Sequence, residues 1–549
     1  MLPQHWQVPV EPSKREALLL KRLKKRPFYG FLRRNRHVLF DASFQDELLV
    51  MYADDEALGG RPGLPPAFLA TVVLLQAYTG LSDGDAVDAA VVDLRWRIVL
   101  GLLEGGEEAV SPYSQGTLVN FRARLMAHGL DRRLLERTVE LARDTGEFGY
   151  KNLRLALDAS PLFTAGRVED AFNLLGHAAR KVIAIAAKLW DMPPEDLAVD
   201  AGIPLLATDP AVSGGSLKAR LDVDWSRPEE RARAFVRLVG EVRALGAWLD
   251  RDGELAHEPL ASCWAVVEEF LGQDVEPDPQ TGAPSIKQGT APERRPSVED
   301  GEARHGRKSK SQKFVGYKRT LGMCLDTGLI LAAHVAPANK PEGAAASPIA
   351  RDLSRYGGIE ADSEEAALRA VAAMVSSVSV DMAYLSSAQV RATRAAGKTV
   401  LCKAFPHRGR PGMFTKADFS LSLVDKTLTC PAGHTVAAEA GCTSHFRAKR
   451  CDTCPLKARC TSSASGRSVT LHADEPFLQQ LRERQQTPEG RAALRRRTAI
   501  EHAIARQVSV QGRKARYKGT RKNLFAVRAT SCIVNLMTLH HAQRQSEAA

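Results

Sequence analysis

The chain has 549 residues, of which 76 are Lys or Arg and 64 are Asp or Glu, and its formal net charge is +12. Its hydrophobic fraction of 44% and charged fraction of 26% are ordinary for a globular protein. The length predicts about two to four domains. No apolar run is long enough to span a membrane, and the N-terminus lacks the apolar segment of a signal peptide. We therefore expect a cytoplasmic protein.

A helical region follows a basic, proline-containing lead-in, which we assign to residues 1–45. In "PPAFLATVVLLQAYTG" the prolines can open a helix, apolar residues recur at helical spacing, and Gly80 can end it. Ser82 is placed to cap a second helix. Two helices joined by such a turn resemble a helix-turn-helix, so residues 46–147 are predicted to form a helical DNA-binding domain. A plain helical bundle explains the pattern nearly as well.

Asp158 interrupts the stretch "LRLALDASPLF", which otherwise has the alternation of a mostly buried strand. We expect the strand to end at Asp158, because Ser160 and Pro161 follow it. A lone Asp before Ser-Pro is usually a turn former or a helix cap. The alternative is a metal ligand, since ligands bind beyond the carboxyl ends of strands in open α/β sheets.

Residues 148–405 are predicted to form the first part of an α/β core. A helical insertion is expected at about 168–270, and residues 271–312 have the proline, glycine and acidic composition of a flexible linker. Two apolar runs from Lys313, split at "DTG", predict a hairpin. A helix, a short strand, another helix and the strand "TVLCKAF" follow, and Asp381 ends the short strand. The order predicts a mixed sheet with two carboxylates at strand ends.

A third carboxylate lies in the last region, residues 476–549. Thr487, followed by Pro, is a typical helix start, and apolar residues recur at helical spacing beyond it. Glu501 lies one turn after Arg497 on the same face. Considered alone, such a Glu is usually a surface residue.

Two dense basic tracts also stand out. The first, residues 304–319, reads "RHGRKSKSQKFVGYKR", and the second, residues 513–522, reads "RKARYKGTRK". Charge runs are commonly just solvated faces or linkers. Two such tracts with an aromatic residue in each favour a nucleic-acid partner.

In this order the motifs resemble the DDE-type transposases of bacterial insertion sequences, whose catalytic core is ribonuclease-H-like. The resemblance involves the helical N-terminal segment, "LALDAS", "KFVGYK" with its hairpin, "VDMAYLS" and "RRRTAIEHAIARQ" with the tail after it. It implies a ribonuclease-H-like α/β sheet core and an all-helical N-terminal domain. It also implies DNA cleavage and strand transfer at the terminal inverted repeats of the element.

The resemblance makes Asp158, Asp381 and Glu501 the catalytic acidic triad. Phosphoryl transfer onto DNA requires an activated nucleophile and a stabilised leaving oxygen, and two metal ions supply both. Mg²⁺ or Mn²⁺ takes hard oxygen ligands and keeps several waters, so three carboxylates suffice as the protein's share. This outcome favours the metal-ligand interpretation of Asp158.

The chain departs from the Tyr-Arg-Glu-Lys signature that related transposases often carry around the glutamate. Arg497 fits the Arg position, but Leu494 and Val508 replace the Tyr and the Lys. We therefore expect DNA contacts from Arg497, Arg506 and the second basic tract, namely Arg513, Lys514, Arg516, Lys518, Arg521 and Lys522. The family implies double-stranded DNA as partner, a homodimer in the DNA complex, and association with the nucleoid.

A cysteine-rich insertion is expected at residues 406–475. Cys430, Cys451, Cys454 and Cys460 have a spacing close to that of a zinc ribbon, which predicts one structural Zn²⁺. His434, Cys442 and His445 are alternative ligands, and buried free cysteines are the alternative to any metal site. The four remaining cysteines, Cys263, Cys324, Cys402 and Cys532, are expected in the core.

Two other functions compete with the enzyme. A captured transposase with an inert core would be only a DNA-binding protein. A zinc hydrolase is the weakest interpretation, because the chain has no HExxH or comparable open metal site.

Overall fold

The computed structural model describes residues 2–53, 63–103, 110–144, 152–207, 217–309, 311–407 and 409–548. The expected domain boundary near residue 147 and Lys310 of the first basic tract lie outside these ranges. The described chain combines a helical N-terminal region with a mixed sheet. Among its helices, none is both long and apolar enough to cross a membrane.

The helical region is built around a helix that is apolar on all sides. Its helices are α1 (Lys14–Arg22), α2 (Pro27–Leu39), α3 (Ala42–Leu49), α4 (Pro66–Thr79), α5 (Asp83–Val92), α6 (Leu94–Leu100), α7 (Gln115–Ala127) and α8 (Leu130–Asp144). α4 is buried along most of its length and ends at Gly80, whose φ of 74° suits glycine. Ser82 caps α5 as predicted. The lead-in is not a separate segment, because Phe28, Phe31 and Phe44 are buried in the same core.

Strand β1 (Leu153–Phe163) continues past the predicted end at Asp158. It pairs with the antiparallel strand β5 (Lys313–Cys324) over its whole second half, from Asp158 opposite Leu321 to Phe163 opposite Gly316. Its pairing with the parallel neighbour β7 (Val375–Ser379) stops at Ala156. Pro161, which lacks an N–H, is tolerated because β1 has only one neighbour at that point.

A helical insertion with its own core follows β1. It comprises α9 (Ala171–Leu189), α10 (Pro194–Asp200), α11 (Pro228–Leu249), α12 (Leu260–Asp274) and the hairpin strands β2 (Val275–Pro277) and β3 (Pro284–Ile286). The linker prediction for 271–312 is wrong. Arg294 pairs with Asp274 at 2.6 Å, and buried Asp300 accepts hydrogen bonds from Thr164 and Tyr317. These acidic side chains fix the segment to the fold.

The central sheet contains β4 (Arg304–Arg307), β5 (Lys313–Cys324), β6 (Ile330–Pro337), β7 (Val375–Ser379) and β8 (Thr399–Leu401) beside β1. Its order is β4-β5-β1-β7-β8, and β6 also pairs with β5. The β5–β6 hairpin lies where it was predicted. β7 and β8 run parallel to β1, whereas β5 is antiparallel to it.

The remaining elements complete the core and carry the cysteine-rich region. α13 (Ala346–Ser354), α14 (Glu364–Met374) and α15 (Ala388–Ala395) belong to the core. The cysteine-rich region has β9 (Ser420–Ser422), β10 (Thr427–Thr429), β11 (Thr435–Ala437), β12 (Thr443–Arg447), α16 (Ala448–Cys451), α17 (Lys457–Cys460) and β13 (Gly466–Thr470). The final helices are α18 (Glu475–Gln486), α19 (Pro488–Arg496), α20 (Thr498–Gln511) and α21 (Thr520–Ala548). The single helix predicted from Thr487 is therefore two helices, which meet at Arg497.

Candidate active site

The register of β1 and β7 brings the two candidate aspartates to the same level. Ala156 of β1 lies opposite Ser379 of β7, and this is the last pair between the two strands. Asp158 lies two residues beyond Ala156, and Asp381 lies two residues beyond Ser379. The two carboxylates therefore lie just past the point where pairing stops, Asp158 within β1 and Asp381 just after the end of β7. Each also accepts a hydrogen bond from the next backbone N–H, at 2.9 Å for Asp158 and 2.7 Å for Asp381.

Helix α20 brings Glu501 to the same place. Its buried residues Ile500 and Ala503 pack against Ala156 of β1 and Met323 of β5. Glu501, next to Ile500 on the helix, remains 55% exposed and faces the cleft.

A cleft of about 420 Å³ collects the three predicted acids. Its charged lining consists of Asp158, Asp381, Glu501, Glu342, Arg497, Arg307, Lys308 and Lys318. Glu342 and the three cations from residues 307–318 were not predicted for this site. The basic tract itself was visible in the sequence, but Glu342 follows β6 in a short turn that carries no recognisable signal.

Arg497 bridges two of the acids. Its guanidinium lies 3.0 Å from the Asp158 carboxylate and 3.3 Å from that of Glu501, and its side chain is only 18% exposed. Sequence reasoning assigned Arg497 to DNA. In the structure its charge is instead directed at the acidic cluster.

Burial and neighbouring charges change the pKa of two carboxylates in the cluster. Burial raises the pKa of Asp158; Arg497 opposes the increase, and Asp381 and Glu501 add to it. Burial also raises the pKa of Glu342, which Lys318 opposes and Asp158 reinforces. Carboxylates with perturbed pKa values in a cleft are characteristic of a functional site, and nearby cations oppose both increases.

The donor set suits a hard divalent cation. Mg²⁺ is commonly held by one or two carboxylates and completes its shell with water. Over the described part of the chain, no group of three or more His, Cys, Asp or Glu side chains is arranged to hold one metal ion. The fit to Mg²⁺ therefore rests on the chemistry of the carboxylates and on their shared cleft.

The second basic tract is only partly available for DNA. Arg516 lies 3.8 Å from Asp83, Lys518 pairs with Glu299 at 2.8 Å, and Arg521 pairs with Asp131 at 2.6 Å. Three exposed members, Arg513, Lys514 and Lys522, form no ion pair within the described residues. Arg506 donates to the Thr538 hydroxyl at 3.3 Å.

The four predicted zinc ligands line one small cavity. Cys430, Cys451, Cys454 and Cys460 surround about 20 Å³, and His434 also borders it. Burial raises the pKa of the Cys460 thiol, and the three neighbouring thiols add to that increase. Of the alternative ligands, Cys442 is exposed and His445 hydrogen-bonds to Ser468. None of the four thiols is in a disulfide. Within the described residues, these cysteines are not arranged to hold one metal ion.

The isolated cysteines mostly behave as expected. Cys324, Cys402 and Cys532 are buried. Cys263 is half-buried and packs at the edge of the insertion's own core.

Two family models match the chain. Residues 429–540 match the model described as "Transposase DDE domain", and residues 20–124 match "Transposase domain (DUF772)". The first match includes Glu501 and the four clustered cysteines, and the second covers most of the helical region. Enzymes with a DDE domain are nucleases or transposition enzymes that generally use divalent metal ions.

Together, the two matches support a DDE-type transposase of insertion sequences. No curated protein and no solved structure matches it.

Proposed function

We propose that the protein catalyses metal-dependent DNA cleavage and strand transfer of an insertion sequence, acting at the element's terminal inverted repeats. The observation that carries the proposal is the convergence of Asp158, Asp381 and Glu501 on one cleft, although they are far apart in sequence. Basic side chains line the same cleft, which suits a phosphodiester substrate.

The sheet supports a ribonuclease-H-like core. Three strands joined by hairpin or antiparallel pairing, β6, β5 and β1, are followed by the parallel strands β7 and β8. β1 and β7 are adjacent, and Asp158 in β1 and Asp381 just after β7 lie at the same edge. That topology explains why two acids separated by more than two hundred residues face one cleft.

Asp158, Asp381 and Glu501 would hold the Mg²⁺ or Mn²⁺ ions. Two bound ions supply nucleophile activation and stabilisation of the leaving oxygen. The chain's own contribution is orientation. Backbone N–H groups fix the Asp158 and Asp381 carboxylates, and Arg497 holds Asp158 and Glu501 toward each other across the cleft.

The decisive experiment is cleavage of labelled DNA carrying the element's ends, in Mg²⁺ and in EDTA. We expect cleavage only with the metal. Binding without cleavage by the wild-type protein would instead favour the alternative, a catalytically inert captured transposase. Light scattering of the DNA complex tests the proposed homodimer, and a one-to-one complex on paired ends would contradict it.

We also propose one structural Zn²⁺ at Cys430, Cys451, Cys454 and Cys460. The support is their shared cavity, whose volume of about 20 Å³ suits a single small occupant. Elemental analysis should give one zinc per chain, and Cys451→Ser should lose it. Cys442→Ser is the control, because Cys442 lies outside the cavity and should retain zinc. Zinc-free wild-type protein would reject the proposal.

A further inference from the structure

Cations of the first basic tract form the rim of the acidic cleft. The cationic rim consists of Arg307 at the end of β4, Lys308 directly after it, Lys313 at the start of β5 and Lys318 in the middle of β5. Arg307, Lys308 and Lys318 line the cleft itself. Because β5 is antiparallel to β1, the start of β5 lies at the edge where β1 carries Asp158 toward Phe163.

Two of the rim cations face each other across the β4–β5 strand pair. Arg307 lies directly opposite Lys313 in the antiparallel β4–β5 pair. Like charges in that position repel each other and destabilise the pair. Across the described ranges, no carboxylate forms an ion pair with any of the four rim residues, whereas Arg304 of the same tract has one with Glu293. A bound anion would relieve this repulsion.

The rim is held in place by close packing. Gly306, between His305 and Arg307, is buried in β4, and a Cβ there would approach Ala338 to 2.7 Å. Only glycine allows β4 to lie this close to the residue that follows β6. The Lys318 ammonium also donates to the Lys340 carbonyl at 2.8 Å. The cations are therefore presented by a fixed strand pair.

We propose that the cationic rim binds the phosphodiester backbone of the DNA strand that enters the acidic cleft. This inference rests on the proposed function. Four carboxylates line this cleft and repel a phosphate, so cations at its edge are required to bring the backbone close. The second basic tract would then contact DNA farther from the reacting phosphate.

The test is the salt dependence of DNA binding by Arg307→Ala/Lys308→Ala/Lys318→Ala. The probe is a fluorescent double-stranded oligonucleotide of arbitrary sequence in EDTA, so that neither cleavage nor recognition of an end intervenes. Losing three phosphate contacts should make the slope of log K against log salt shallower by about 2 to 3. An unchanged slope would overturn the proposal.

The matched control is Lys181→Ala/Lys188→Ala/Arg233→Ala. It removes the same charges from exposed positions of α9 and α11 that do not line the cleft. It should keep the wild-type salt slope. If the control loses as much slope as the rim variant, net charge alone explains the effect and the proposal is overturned.

Two further measurements separate the possible failures. If the triple variant does not fold, as judged by its melting curve, the exposed single variant Lys308→Glu should still reduce the slope by about one to two. Mg²⁺-dependent cleavage of element ends by the wild-type protein is measured separately. If the wild-type protein does not cleave but the triple variant has a reduced salt slope, the proposed chemistry is wrong and the rim proposal stands. If the wild-type protein cleaves but the variant keeps the wild-type slope, the rim proposal is wrong and the proposed chemistry stands.

Discussion

In the first basic tract, Arg307 and Lys308 line the acidic cleft and form no ion pair among the described residues. In the second, Arg516, Lys518 and Arg521 each lie beside a carboxylate from another part of the chain. Both tracts are densely basic. Their difference arises from the acids that the fold brings to them, which local charge density does not reveal.

The paired charges of the second tract serve assembly of the fold. Asp131 in α8 is buried and accepts Arg521 at 2.6 Å and Arg528 of α21 at 3.1 Å. Arg528 also pairs with Asp352 of α13 at 2.8 Å. This network joins the helical region, the sheet core and the C-terminal helix. Breaking a buried pair leaves an uncompensated charge, so the network locks these three parts together.

The largest expected effect is on DNA cleavage, and it distinguishes cleavage from the DNA binding that either basic tract supplies. Asp381→Ala removes a proposed metal ligand and should lower cleavage by at least about 100-fold, more than the loss of a ligand's supporting residue typically costs. DNA binding should persist or tighten, because a carboxylate that repels phosphate is gone. Cleavage and gel-shift assays on the same DNA measure both.

Asp362→Ala is the control for this change, since Asp362 is exposed and lies outside the cleft. It should cleave normally. If Asp381→Ala also cleaves at the normal rate, Asp381 is not catalytic.

The next effect tests the structural role of the second tract. Asp131→Ala should lower the free energy of unfolding by about 3 kcal/mol, because two arginines lose their buried partner. Urea denaturation measures the change, with Asp362→Ala expected to stay within about 0.5 kcal/mol of wild type. A stable Asp131→Ala protein would show that the network contributes little.

A smaller effect divides the second tract internally. Lys522→Ala removes an exposed cation without an ion pair among the described residues, and should reduce the salt slope of binding by about one while leaving stability unchanged. Arg521→Ala should lower stability and leave the slope near its wild-type value. Equal slopes for both variants would remove the distinction between paired and available cations.

The smallest effect is a pH dependence next to the same network. Burial, with Arg528 nearby, lowers the pKa of His334 to about 4. The unfolded chain therefore binds the proton more readily, and the contribution of neutral His334 is complete above about pH 6.5 and is lost as pH falls toward 4. His334→Gln should flatten this part of the stability profile, measured by denaturation from pH 4 to 7. An identical profile in the variant would assign the dependence to other groups.

Patterns carried by one strand or hairpin could be predicted from the sequence. The β5–β6 hairpin is local, since two apolar runs flank a turn, and the strand leading to Asp381 ends close to its predicted place. The continuation of β1 past Asp158 could not be predicted, because it depends on β5 offering a partner after β7 has ended. The helix predicted from Thr487 divides into two at Arg497, whose guanidinium contacts Asp158 of another element.

Site residues followed the same division. The resemblance to DDE-type transposases predicted Asp158, Asp381 and Glu501 as site residues, and all three line one cleft in the structure. Glu342 and the cationic rim reach that cleft only through the packing of β4, β5 and the turn after β6. Conversely, the acidic composition of residues 271–312 predicted a linker, yet Asp300 in this segment is buried and accepts hydrogen bonds from Thr164 and Tyr317, which are distant in sequence.

Helix α21 packs against α4, α8, β6 and α20, and the ribosome makes it after all four. Its Phe525, Ile533 and Leu536 belong to the same core as Phe28 and Leu75 near the other end of the chain. During synthesis those earlier apolar surfaces stay exposed until α21 has been made, and exposed apolar surface on a nascent chain promotes aggregation. A premature stop before α21 would therefore yield an insoluble polypeptide rather than a shortened enzyme.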